Sequence, residues 1–209
     1  MIRIIIADDH IVVRRGLKQI LLEAFPDAQI AEVGDAGDLL HQVMAAEWDV
    51  VISDLSMPGR SGLDALQQIK QTHPKLPVLI LSVYSEDQYA LRVLKAGASG
   101  YLNKDSAPEE LTNAVHRVLL GKKYITPSIA EKLATTLDLD SQKSAHEHLS
   151  NREFDVLKLI AAGRSISEIA DTLSLSITTV STYRARIMTK MGMKTNADLT
   201  LYAIENKLL

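Results

Sequence analysis

The chain reads as a doubly wound α/β domain on a five-stranded parallel sheet, followed by a second, smaller, all-α domain of helix-turn-helix type. Three observations predict this. From residue 2 to about 120, short apolar runs rich in Ile, Val and Leu alternate with longer segments of helical period, the pattern of a parallel sheet covered by helices. Between 122 and 148 that alternation stops and the chain turns polar. From Leu149 onward only helical spacing remains, punctuated by serine-initiated helix starts.

The strands expected in order are Ile2–Ala7, Gln29–Val33, Val50–Asp54, Val78–Ser82 and Gly100–Leu102. Each is short and largely apolar, as a strand buried on both faces must be. Helical segments fall between them and after the last. Gly97 follows the helix ending near Lys95, and Ser106, Pro108 and Glu109 combine a cap, an early-turn proline and a capping-box acid at the start of a helix running to about Leu120. Residues 122–148 contain Pro127, a short helical stretch around Ile129–Leu137 and the polar run Asp138–His148, and read as a linker. The expected organisation is therefore 1–121, a linker over 122–148, and 149–209.

The second domain opens sharply. Ser150 and Glu153 form a capping box, with Leu149 and Phe154 at staple positions. The first helix stops before Gly163, Ser165 and Glu168 open a second, Ser176 caps a third that ends at Gly192, and a fourth runs over Asn196–Glu205. Within Ser165–Arg184 two helices flank a short turn at Ser174–Ser176, with Ile166, Ile169, Ala170, Leu173, Leu175 and Val180 at buried spacing. In such a unit the second helix can enter the DNA major groove. Its candidate face includes Thr178, Ser181, Thr182, Ala185 and Arg186, with Thr179, Arg184, Lys190 and Lys194 beside it. Spacing alone fits a small helical bundle for protein contacts equally well.

Composition sets bounds on this reading. With 209 residues and 46% hydrophobic content, the chain can bury two ordinary cores. The absence of cysteine excludes disulfides and thiolate metal sites. Ile4–Ile6 is too short an apolar run for a signal or membrane-spanning segment, so a cytoplasmic protein without membrane contact is expected. The net charge of −3 is uneven: residues 1–122 carry 12 basic against 16 acidic groups, whereas 146–209 carry 8 against 7. That slight positive balance is a weak pointer to nucleic acid.

Functional groups of a doubly wound sheet collect beyond the carboxyl ends of its strands. Asp8 and Asp9 follow the first strand, Asp54 ends the third, Ser82 ends the fourth and Lys104 lies just past the fifth. Singly, each is an ordinary loop residue; their convergence on one rim is what carries meaning. Three carboxylates together repel unless a cation neutralises them, and an all-oxygen set with no cysteine or nearby histidine suits Mg²⁺ rather than zinc. Such a rim could receive a phosphoryl group, with Asp54 as nucleophile and Lys104 as charge clamp.

These residues resemble a known family. Ala7-Asp8-Asp9-His10, Asp54-Leu55-Ser56-Met57-Pro58-Gly59, Gly62, Leu81-Ser82, Lys95-Ala96-Gly97-Ala98 and Gly100-Tyr101-Leu102-Asn103-Lys104 are similar to the receivers of two-component response regulators, which have a flavodoxin-like fold. The resemblance implies that Asp54 accepts a phosphoryl group from a sensor histidine kinase. It also implies that Asp8, Asp9, Asp54 and the Ser56 backbone carbonyl arrange Mg²⁺, and that Ser82 and Tyr101 form the switch, Tyr101 moving inward as Ser82 turns toward the phosphoryl group. Asp105 follows Lys104 where many receivers have proline, so a trans peptide is expected there.

The second domain resembles the LuxR-type DNA-binding domain through Leu149-Ser150-Asn151-Arg152-Glu153, Val156-Leu157, Ala162-Gly163, Glu168-Ile169-Ala170 and Thr179-Val180-Ser181. The whole chain is thus similar to regulators of the NarL/FixJ type. That implies a phosphorylation-controlled, DNA-binding transcriptional regulator that dimerises on a two-part promoter site. Two alternatives stand beside it. One is a Mg²⁺-dependent phosphatase with an aspartate nucleophile, against which Ser56 occupies the position where such enzymes carry a second aspartate. The other is a receiver whose helical domain binds only protein.

Overall fold

The computed structural model describes residues 1–138 and 144–209, so part of the expected linker, residues 139–143, lies outside the described residues. The described chain divides into two compact units, Met1–Thr136 and Leu137–Leu209.

The first unit is a parallel sheet of β1 (Arg3–Ala7), β2 (Gln29–Val33), β3 (Val50–Asp54), β4 (Val78–Ser82) and β5 (Gly100–Asn103), in the order β2-β1-β3-β4-β5. Its helices are α1 (Ile11–Ala24), α2 (Ala36–Ala45), α3 (Gly62–Thr72), α4 (Glu86–Lys95) and α5 (Ala107–Leu119), then α6 (Pro127–Asp138). Alternation along the strands divides the core. Ile4, Ile6, Val50, Ile52, Leu79, Leu81 and Leu102 face Leu17 and Leu21 of α1 and Leu111, Ala114, Val115 and Val118 of α5. The central strands β3 and β4 are buried at every position, which is why they read as continuous apolar runs.

The strand order reverses between β1 and β3, the neighbours of the switch point in this topology. Ala7 is paired with Ser53, so Asp8 and Asp54 leave adjacent strands side by side. Ser82 is paired with Asn103, which brings Lys104 to the same edge. Both strand ends are further fixed by backbone bonds, Leu55 N–H to the Leu81 carbonyl at 2.9 Å and Lys104 N–H to the Ser82 carbonyl at 2.9 Å.

Two local readings change. Ser106 precedes α5, but its own backbone is already helical (φ −93°, ψ −6°) and its hydroxyl donates back to the Asn103 carbonyl at 3.2 Å instead of capping the helix. Beyond α5 the chain stays on the first unit. Tyr124 forms a parallel bridge with Gly100, its N–H donates to the Ser99 carbonyl at 2.8 Å, and its hydroxyl donates to Glu110 Oε2 at 2.9 Å. Among the described residues no peptide bond is cis, the Lys104–Asp105 bond included.

The second unit holds a 3-10 turn (Ala145–His148) and α7 (Asn151–Ala161), α8 (Ile166–Leu173), α9 (Ile177–Met191) and α10 (Asn196–Glu205). Ser150 with Glu153, Ser165 with Glu168 and Thr195 with Asp198 form reciprocal capping boxes, and Ser176 caps α9 through the Thr179 amide at 3.1 Å. Ser174, at φ 53°, makes the left-handed turn between α8 and α9. Phe154, Val156, Leu157, Ile169, Val180, Ile187 and Leu199 are buried, whereas Ile166, Leu173 and Leu175 are half-buried.

Gly62 starts α3 against the strand that carries Asp54, and a Cβ there would lie 1.9 Å from the Asp54 carbonyl oxygen. Because backbone rather than a flexible side chain would have to move, Gly62→Ala is expected to destabilise the first unit by about 3 kcal/mol. Urea unfolding followed by circular dichroism measures this; an unchanged midpoint would contradict the packing described.

Candidate functional site

The carboxyl edge of the sheet gathers buried charge. Asp8 is 1% exposed and Asp54 4%, and both face one cation, with Lys104 Nζ at 2.7 Å from Asp8 Oδ2 and 2.9 Å from Asp54 Oδ2. The position of each group follows from its backbone. The Asp8 N–H donates to the Val33 carbonyl and the Asp8 carbonyl accepts from the Arg14 guanidinium, which pins the end of β1. The Ser53 hydroxyl donates to the Asp54 carbonyl at 3.0 Å. The Ser56 backbone amide is close enough to lower the Asp54 carboxyl, and the Ser56 side chain is exposed.

Burial pushes the Asp54 carboxyl above its usual range; Lys104 pulls it down by charge and hydrogen bond, and the Asp8 carboxylate pushes it up again. Burial alone would lower the Lys104 ammonium, but the bonds and charges of Asp8 and Asp54 outweigh it and hold Lys104 above its ordinary value. Two carboxylates share one ammonium, so the pocket keeps an uncompensated negative charge. That is the condition for taking up a divalent cation.

Oxygen and nitrogen donors of Asp8, Asp9, His10 and Asp54 lie within 4.8 Å of one another, so this donor set fits a divalent cation. One expectation is corrected here: a histidine is nearby. His10 Nδ1 is 2.8 Å from Asp9 Oδ1 and 3.2 Å from Asp8 Oδ1, because the residue after the two aspartates is the N-cap of α1 and its ring turns back over them. The motif Asp8-Asp9-His10 displayed that histidine.

Ser82 and Tyr101 are both fully buried. The Ser82 hydroxyl lies near the Tyr101 phenol and accepts the Tyr84 N–H at 3.1 Å. The Tyr101 hydroxyl donates to the Tyr84 carbonyl at 2.7 Å, with its pKa pushed up to about 12, chiefly by burial. Tyr101 is therefore a neutral donor at physiological pH, held inward beneath the β4–α4 loop. Tyr84 in turn stacks on Tyr89, ring centroids 4.9 Å apart.

In the second unit α9 presents Thr178, Ser181, Thr182, Ala185 and Arg186 to solvent, with Lys190 and Lys194 also exposed and Thr179 and Arg184 half-buried. Two of the basic residues are engaged within the unit. Arg184 Nε donates to Asn196 Oδ1 at 2.6 Å, and Lys190 Nζ donates to Glu153 Oε2 at 2.7 Å. Glu153 is only 3% exposed and also accepts the Ser150 N–H at 2.7 Å. Burial alone would raise its pKa, but the bonds from Lys190 and Ser150 outweigh that and hold its carboxyl below the ordinary value of 4.5. Glu153 was legible as a capping-box acid; its second role, tying α7 to the end of α9, joins residues 37 apart and has no local signature.

Comparison with known proteins agrees with both units. Residues 4–116 match the response regulator receiver domain, and residues 147–203 match the bacterial regulatory proteins of the luxR family. The chain is 37% identical over 214 residues to the oxygen regulatory protein NreC of Staphylococcus haemolyticus, covering 99% of each chain. It is 34% identical over 209 residues to the response regulator UvrY of Escherichia coli O157:H7, covering 100% of this chain and 96% of that one. Among solved structures it is similar to RcsB from Salmonella enterica serovar Typhimurium bound to promoter rprA in the presence of phosphomimetic BeF3⁻, with 28% identity, a TM-score of 0.65 and coverage of 97% and 98%.

The Glu153 bond network carries a pH dependence. Because its folded pKa is depressed, the stability it contributes is complete above 4.5 and is lost as pH falls through the lowered folded value. The second unit's thermal midpoint should therefore fall with acidification below pH 4.5, and Glu153→Gln should flatten that fall. Following Phe154 and Tyr202 resonances of the full chain during thermal unfolding tests it; an equal acid slope in the variant would remove Glu153 from this role.

Proposed function

The chain belongs to the response regulators that join a receiver domain to a LuxR-type DNA-binding domain, and from that premise we propose that Asp54 accepts a phosphoryl group from a sensor histidine kinase. It is a phosphorylation-controlled transcription regulator, not an enzyme. We assign residues 1–121 to the phosphoacceptor domain, 122–148 to the linker and 149–209 to the DNA-binding domain. The observation that carries the assignment of Asp54 is its burial beside Asp8 and Lys104 at the carboxyl edge of the sheet.

An Asp54 carboxylate oxygen attacks phosphorus, the phosphorus–nitrogen bond of the kinase phosphohistidine breaks, and the imidazole nitrogen leaves with the electron pair. Lys104, already charged and aimed at Asp54, stabilises negative charge on the phosphoryl oxygens. A Mg²⁺ ion held by Asp8, Asp9, Asp54 and the Ser56 carbonyl would neutralise charge on the transferring group. Ser82 and Tyr101 sense the result: a phosphoryl oxygen on Asp54 draws the Ser82 hydroxyl toward it, and the buried Tyr101 ring occupies the space beside it.

On the output side, α9 is placed in the major groove of promoter DNA, with Thr178, Thr179, Ser181, Thr182 and Ala185 toward base edges and Arg184, Arg186, Lys190 and Lys194 along the flanks. So sparse a basic set binds weakly as a monomer, so a phosphorylation-dependent homodimer on a two-part site is the operating form. RcsB has been solved as two dimers bound to two parallel DNAs, which supports that reading. No helix among the described residues is long and apolar enough to cross a membrane, and we place the protein in the cytoplasm with its DNA target.

Two outcomes are expected. Asp54→Ala should abolish phosphoryl incorporation from a labelled donor while leaving the circular dichroism spectrum intact, and chelation of divalent cations should block incorporation into the unsubstituted chain; stoichiometric labelling of the variant would overturn the assignment. For DNA, Arg186→Ala and Lys194→Ala should each reduce the slope of log affinity against log salt by about 0.9. Lys190→Met should change that slope less, since Lys190 is already paired with Glu153. Fluorescence anisotropy over a salt series measures all three.

A further inference from the structure

The linker begins with a contact that neither the sequence motifs nor the family assignment accounts for. Thr126, the residue before α6, uses one hydroxyl twice. It donates to Glu86 Oε2 at 2.7 Å and accepts the Ile129 N–H at 3.3 Å, while the Thr126 carbonyl accepts the Ala130 N–H at 3.0 Å. Thr126 is thus the cap of α6, and Glu86 is the first residue of α4. One hydroxyl joins the starts of two helices, 40 residues apart in sequence. The bond to a carboxylate is charge-assisted and both partners are half-buried, so it is stronger than an ordinary surface hydrogen bond.

Glu86 stands where the switch is felt. It follows the β4–α4 loop directly, two residues after Tyr84, whose carbonyl holds the Tyr101 hydroxyl at 2.7 Å. The Glu86 carboxylate is also close enough to both the Tyr101 and the Tyr124 phenols to act on them electrostatically. On the linker side, Tyr124 is immobilised by its bridge to Gly100. A Cβ at Gly100 would lie 2.9 Å from both the Tyr124 Cβ and its carbonyl oxygen, so glycine is what allows the linker to lie against β5. Ile129, one turn into α6, is 1% exposed. With Tyr124 pinned, the shared Thr126 hydroxyl is the link from the loop to α6.

We propose that Thr126 is a positioning residue that hands the state of Tyr101 to the linker: Tyr101 held inward fixes the β4–α4 loop, Glu86 then engages Thr126, and the start of α6 is locked. When the Tyr101 phenol leaves the Tyr84 carbonyl, the loop carries Glu86 away, the cap loses its charged partner and the first turn of α6 frays. This rests on the reading of Asp54, Ser82 and Tyr101 as phosphoacceptor and switch. It adds the residue pair through which that switch reaches the segment leading to the DNA-binding domain.

The test uses the full chain with Mg²⁺, with and without beryllofluoride, and a DNA duplex selected from a random pool by the unsubstituted protein. The free chain exchanges between this locked arrangement and one with Tyr101 released, and beryllofluoride favours the locked one, so amide hydrogen exchange at Ile129 and Ala130 should slow about tenfold on its addition, the worth of one charge-assisted hydrogen bond. In Thr126→Val both amides should exchange rapidly in either state, and the beryllofluoride-induced gain in DNA affinity should fall about tenfold, with beryllofluoride binding itself unchanged. Thr126→Ser keeps the hydroxyl and should restore both readouts, which separates the coupling from a general loss of folding; Glu86→Ala should behave like Thr126→Val. If DNA affinity responds to beryllofluoride while Ile129 and Ala130 exchange identically in the two states, the proposal is overturned and the switch reading survives. If neither affinity nor exchange responds in the unsubstituted chain, the switch reading fails and takes the proposal with it.

Discussion

Two buried carboxylates against one ammonium is the constraint on which the first unit turns. Asp8 and Asp54 leave adjacent parallel strands and are both withdrawn from water, yet they share one ammonium, that of Lys104, at 2.7 and 2.9 Å. Removing a charge from water is costly unless it is paired and hydrogen-bonded. Here the pairing is one cation short, and burial, with a smaller push from the Asp8 charge, holds the Asp54 pKa above its usual range. A pocket so unbalanced is not a resting salt bridge. It is a place where an added cation changes the local energy by a large amount.

The second unit contains the opposite case. Glu153 is as buried as Asp54 and also faces a lysine at 2.7 Å, but it accepts backbone bonds at the start of α7 as well, and its pKa is lowered. Its charge is fully answered, so nothing is gained by moving it. The pair fixes the last turn of α9 against the first turn of α7, while Arg184 bonded to Asn196 fixes α9 to the start of α10. The exposed face of α9 carries threonine, serine and alanine, so on the proposed reading it has few strong contacts to correct its own orientation on DNA. Holding it from two sides supplies orientation in advance, so less is lost on binding. The same chemical pair, carboxylate and lysine, is thus unbalanced at the proposed phosphoacceptor and satisfied where α7 meets α9.

How much of this was legible in the sequence follows from the range of the interactions. The strands β3 and β4 were readable to the residue, because a parallel strand buried on both faces is a largely apolar run; the edge strand β2, where only Val33 is buried, was readable to the residue as well. Asp8, Asp54, Ser82 and Lys104 were readable as a set because a doubly wound sheet sends every strand end to one edge, whatever lies between them in sequence. The serine capping boxes of α7 and α8 were readable because both partners sit within four residues. Ser106 has the same local pattern and does not cap, since its backbone is drawn into the helix and Asn103 captures its hydroxyl. Local chemistry proposes a cap; the turn that precedes the helix decides it.

The pairs that escaped reading join residues far apart and leave no periodic trace: Glu86 with Thr126, Glu153 with Lys190, and His146 with Tyr202 at 2.9 Å. Each attaches a segment outside a regular element, or the end of one, to a neighbour already held by its core. Hydrophobic patterning specifies which faces are buried, and so it finds the sheet and the helical bundle. It says nothing about how a polar segment leaving one core is anchored on its surface. For a protein whose two units must communicate, that anchoring determines how much of a movement at Asp54 survives beyond α5. A linker loose from its first residue would dissipate it, whereas one bridged to Gly100 and capped through Glu86 begins as part of the receiver.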